Sequence, residues 1–131
     1  MSAGEGTPAV TRTVSLAEAL QQAVALHQAG RLPQAARLYR AILAADPNQF
    51  DALRLLALVD AADGRPADAR GLLDRALAQR PDSAAAHMDR ASVCKALGEY
   101  EEALASCGRA LALRPDSPDL VTLQGAILLD L

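Results

Sequence analysis

Three glycines, Gly30, Gly64 and Gly98, stand 34 residues apart, and two further marks keep the same interval. Ala35, Ala69 and Ala103 follow five residues behind them, and Pro47, Pro81 and Pro115 follow seventeen behind. Three marks in register over three copies define one repeated supersecondary unit. A unit this short cannot bury an apolar face alone, so copies must stack and share a continuous core. The period therefore restricts the chain to a linear array of equivalent pieces.

Each period holds two apolar-periodic segments split by the glycine. LAEALQQAVALHQA (16–29) and PQAARLYRAILAA (33–45) are the first such pair. Ser15 and Glu18 have the S-x-x-E spacing of a capping box, which satisfies free amides at a helix start. Gly30 suits the left-handed residue that ends a helix, and Pro33 and Pro66 fall where a second helix would begin. Asp46-Pro47, Arg80-Pro81 and Arg114-Pro115 then end each pair, because a residue before proline is pushed out of α space. Alanine and leucine dominate, while the only aromatic residues are Tyr39, Phe50 and Tyr100. A pleated sheet favours the β-branched and aromatic residues that are scarce here. The predicted fold class is all-α, a helical-hairpin repeat.

These residues resemble the tetratricopeptide repeat. With Leu16, Phe50 and Ala84 as first positions, the repeats are 16–49, 50–83 and 84–117, and residues 118–131 resemble the first helix of a fourth. The small residue at position eight is Ala23, Ala57 or Ala91, and that at position twenty is Ala35, Ala69 or Ala103. Tyr39, Leu73 and Cys107 stand at position twenty-four, and GEYEEAL (98–104) is close to the family's usual turn. The resemblance implies a right-handed solenoid over residues 15–131, preceded by a flexible polar tail at residues 1–14.

The remaining chemistry is sparse. A net charge of -3, with arginines scattered among the acids, gives no footprint for nucleic acid. No apolar run reaches the length of a bilayer-spanning helix, and the N-terminus has no signal-peptide pattern. Cys94 and Cys107 read as free thiols in a reducing compartment, so the expectation is a cytoplasmic protein. His27 and His87 stand sixty residues apart with no ligand set around either. DAADG (60–64) lacks the alternating acids and distal glutamate of a calcium loop, and no serine sits in a nucleophile elbow. The reading is a non-enzyme without cofactor or metal, whose partner is a protein or peptide.

The resemblance also implies where that partner sits. The family's first helices line a concave groove, and its exposed positions here include Leu20, Gln21, Val24, Arg54, Leu55, Leu58, Met88, Asp89 and Ser92. An apolar patch centred on Leu20, Val24, Leu55, Leu58 and Met88 has the character of a binding site for an apolar peptide or helix. Chaperone co-factors of the family hold a carboxylate with polar and basic groups, where this chain has Leu20, Val24, Leu55, Ala85 and Asp89. Sugar transferases of the family carry an asparagine ladder, where this chain has Gln21, Leu55, Asp89 and Leu123. The alternative reading is the substrate-presenting arm of a larger enzyme such as a bacterial transferase.

Three expectations concern particular side chains. Asp60 and Arg90 occupy positions the family fills with large apolar residues, and the reading pairs them across adjacent first helices. Val121, Gly125 and Leu128 are expected to pack back onto the third repeat. Leu120, Ile127 and Leu131 then form a separate uncovered stripe, which predicts either a missing downstream segment or a homodimer through this end.

Overall fold

Gly30, Gly64 and Gly98 adopt φ of +79°, +77° and +77°, the left-handed conformation that side chains with a Cβ rarely take. Each closes a helix by a six-residue bond of the Schellman type. Arg31 donates its N–H to Leu26 at 2.9 Å, Arg65 to Asp60 at 2.8 Å and Glu99 to Cys94 at 2.9 Å. The computed structural model describes residues 15–131; the tail expected at residues 1–14 lies outside them. The described elements are α1 (Leu16–Gln28), α2 (Leu32–Ala45), α3 (Phe50–Ala62), α4 (Pro66–Gln79), α5 (Ala84–Ala96), α6 (Tyr100–Leu113) and α7 (Pro118–Asp130).

The two helices of a hairpin are started differently. Ser15, Gln49, Ser83 and Ser117 cap α1, α3, α5 and α7 with a side-chain oxygen. Ser15 and Glu18 complete the reciprocal capping box. The second helices have no side-chain cap, since the glycine turn already delivers the chain into them. Before each repeat proline, Asp46, Arg80 and Arg114 hold φ near -137° (-138°, -136° and -136°), which stops the second helix.

Sequential helices pack in antiparallel pairs, and α1, α3, α5 and α7 also touch one another in order. The second helices make no such direct contact among the described residues. First helices therefore form the inner layer, and second helices the wider outer one. Close approach within each hairpin depends on alanine. Ala23 with Ala35, Ala57 with Ala69, and Ala91 with Ala103 are all wholly buried, each pair in one cluster.

Three expectations are corrected here. Leu120 and Ile127 are 1% and 0% exposed and belong to the cluster of Ala91, Cys94, Ala103 and Cys107. They are the residues that pack back onto the third repeat, and only Leu131 of the expected stripe lies in the open. The uncovered residues are instead Val121, 55% exposed, and Leu128, 54% exposed. Gly125 lies open beside them. They stand at the positions where other first helices meet their own second helix, which α7 lacks among the described residues. The Asp60–Arg90 pair is also absent. Asp60 lies 3.6 Å from Arg40, and Arg90 binds Asp74 at 2.7 Å and the Ser106 hydroxyl at 2.7 Å. Positions seven and eleven point outward toward second helices, so two first helices cannot join through them.

Candidate partner groove

The inner layer carries the groove residues, and their surroundings are mixed rather than apolar throughout. Leu20 and Leu55 are half-buried against the cluster built on Ala23, Tyr39 and Leu56. Met88 packs in the same way on the cluster of Ala91 and Leu120. Val24 and Leu58 are also half-buried, while Gln21 and Ser92 are exposed. Leu20, Leu55 and Met88 thus serve the core with one side and the groove with the other.

Arg54 and Asp89, thirty-five residues apart, meet across the inner layer. The Arg54 guanidinium donates to Asp89 Oδ2 at 2.8 Å, and the Asp89 side chain is only 11% exposed. Burial pushes the Asp89 carboxyl above its ordinary range, and Arg54 acts against that without cancelling it. Beside them, Tyr39 OH and His27 Nδ1 lie 3.1 Å apart, with the rings edge to face. Burial raises the Tyr39 hydroxyl, again with Arg54 opposing. At the other end, the Lys95 ammonium lies 3.1 Å from an Asp130 carboxylate oxygen. Polar links therefore join first helices of neighbouring repeats along the groove. The sequence signal of the first is an arginine at position five facing an aspartate at position six one repeat later, and that of the second a lysine at position twelve facing an aspartate at position thirteen.

Between α3 and α5 the groove deepens into a cleft of about 350 Å³. Leu58 and Ala61 line it from α3 and Val93 and Ala96 from α5, with Gly64 and Pro66 from the turn into α4. Asp89 and Ser92 supply its polar atoms. Ala61 and Ala96 stand at groove positions twelve and thirteen of their repeats, whereas Pro66 escapes a reading by groove position because it opens a second helix.

The thiols offer little reactivity. Cys94 and Cys107 are free and buried, and burial raises both above the usual thiol value. Among the described residues no three His, Cys, Asp or Glu side chains gather as a metal site. No described helix is long and apolar enough to cross a membrane.

The tetratricopeptide-repeat pattern matches residues 26–88 and 60–127. The chain belongs to the tetratricopeptide-repeat family. Among curated proteins none matches it by sequence. Among solved structures it is similar to MamA, at 27% identity and a TM-score of 0.76, covering 80% of this chain and 61% of that one. It is similar to a Thermobaculum terrenum O-GlcNAc transferase at 29% identity and a TM-score of 0.82, covering 86% of this chain and 22% of the transferase. The first repeat domain of Spaghetti (RPAP3), bound to an HSP90 peptide SRMEEVD, shares 20% identity and the fold, with a TM-score of 0.84 over 87% of this chain and 90% of that one. The chain thus spans about three-fifths of the MamA structure and about a fifth of the transferase.

Proposed function

We propose that this protein is a non-catalytic scaffold that holds an apolar peptide or helix of a protein partner along its inner layer. The observation that supports this reading is the row of half-buried Leu20, Val24, Leu55, Leu58 and Met88 on helices that carry no further packing layer among the described residues. Binding there would bury the rest of each side chain. The acidic peptide SRMEEVD is a poor analogue of the occupant, because this groove presents a buried Asp89. Val24→Asp with Leu58→Asp is the discriminating variant, since neither residue is part of a core cluster. It should keep its helical circular dichroism and lose partner capture. Retained capture would reject the groove, and loss of helical signal would place these residues in the core.

The transferase relationship supports a second reading, an arm that presents substrate to a catalytic domain. A transferase coding region continuous with this one would establish it, and its absence would reject it. Pairing of two copies through α7 would use exposed Val121, Leu128 and Leu129 rather than Leu120 and Ile127. Light scattering that shows only monomer at high concentration would reject that pairing.

A further inference from the structure

We propose that the cleft between α3 and α5 seats one basic side chain, a lysine or arginine carried by an otherwise apolar partner segment. This deepens the groove reading above and depends on it. The walls are apolar on both sides, from Leu58, Ala61, Val93 and Ala96, and the polar atoms come from Asp89 and Ser92. Lysine and arginine match that layout, with a methylene stem that packs on apolar surface and a charged head that seeks a polar partner.

Asp89 has acceptor capacity to spare. A carboxylate offers about four lone-pair sites, and Arg54 uses one, on Oδ2. Oδ1 carries no hydrogen bond among the described residues. Burial still raises the Asp89 carboxyl with Arg54 beside it, so its charge is under-compensated and a second cation would relieve it. The neighbouring charges Arg54–Asp89, Lys95–Asp130 and Arg65–Asp63 neutralise in pairs. An acidic segment would set like charge against Asp89, and a wholly apolar one would bury Asp89 further without compensation.

The test is selection from a random peptide library displayed against the full chain, followed by affinity measurements on synthetic peptides. Enriched peptides should carry one lysine or arginine among apolar residues. Replacing that residue by norleucine should weaken binding about tenfold or more, the loss of one charged hydrogen bond. Asp89→Asn should cause a similar loss. Ala96→Leu, which narrows the cleft from an exposed position and leaves the ion pair intact, should do so as well. Circular dichroism of each variant checks that the helices persist. Peptides without a basic residue, or peptides indifferent to both variants, would overturn the basic seat. The groove itself would still stand if those peptides lose binding to Val24→Asp/Leu58→Asp. Peptides that bind that double variant as well as the wild type would overturn groove and seat together, and so would a selection that enriches nothing.

Discussion

Asp60 and Arg40 share an ion pair 3.6 Å long but not a common environment, because the side chains are 9% and 51% exposed. The exposed guanidinium is screened by water and compensates little. Burial therefore dominates and raises the Asp60 carboxyl, with Arg40 the largest opposing influence. The native state then holds that proton more tightly than the unfolded chain does. The group's favourable contribution is complete below the ordinary carboxylate range and is lost as pH rises through the raised native value. Asp60→Asn should consequently raise the melting temperature at pH 7, with the gain shrinking toward zero as pH falls below the ordinary carboxylate range, where both states of the wild type are protonated. A variant less stable than wild type at neutral pH would show that the pair with Arg40 stabilises on balance. That Asp60 is a misfit was legible in the sequence, since an acid stood where an apolar residue was due. Its partner was not, because spacing does not give the direction in which a side chain leaves its helix.

The same geometry organises whole elements. Arg40 and Asp74 both stand at position twenty-five, on the outer faces of α2 and α4. Each meets a largely buried charge of the next first helix, Asp60 at position eleven and Arg90 at position seven respectively. The polarity is reversed from one interface to the next, so what recurs is the place of the second-helix charge and not its sign. Within a hairpin, alanine sets the spacing. Ala103 on α6 is wholly buried in the cluster of Ala91 and Cys94, whereas Ala105 on the same helix is exposed. Ala103→Leu should cost about 1–3 kcal/mol by overpacking, and Ala105→Leu should change stability by less than about 0.5 kcal/mol. Thermal or urea melts that fail to separate the two would contradict the register. That register was readable from residues alone because glycine turns, prolines and small residues each mark a local backbone or packing requirement. The faces of α7 were harder. Its apolar residues lie all round the helix, and only neighbours decide which side is covered. The depth of the cleft was equally hidden, since Ala61 and Ala96 stand at groove positions but Pro66, from the next helix, joins them only when three elements meet.

Across the molecule, each helix contacts only its near neighbours, and stability should follow position in the array. The central helices α3, α4 and α5 have packed elements before and after them, while among the described residues α7 rests only on α6 and α5. Its anchors are Leu120 and Ile127, wholly or almost wholly buried, while Val121 and Leu128 on an adjoining face and Leu129 on the far side are exposed. Val121, Leu128 and Leu129 thus do little to hold it in place. Local opening should cost least at such an end and most in the middle. Native-state amide exchange is expected to show α7 opening at lower free energy than α3 to α5. Ile127→Ala removes one of two anchors and leaves a cavity, a change of about 2–5 kcal/mol for a buried isoleucine. If α7 opens by itself, the variant should accelerate exchange along α7 while leaving α3 nearly unchanged. Equal acceleration in both helices would instead mean that the array unfolds as one cooperative unit, with α7 bound into it as firmly as the centre.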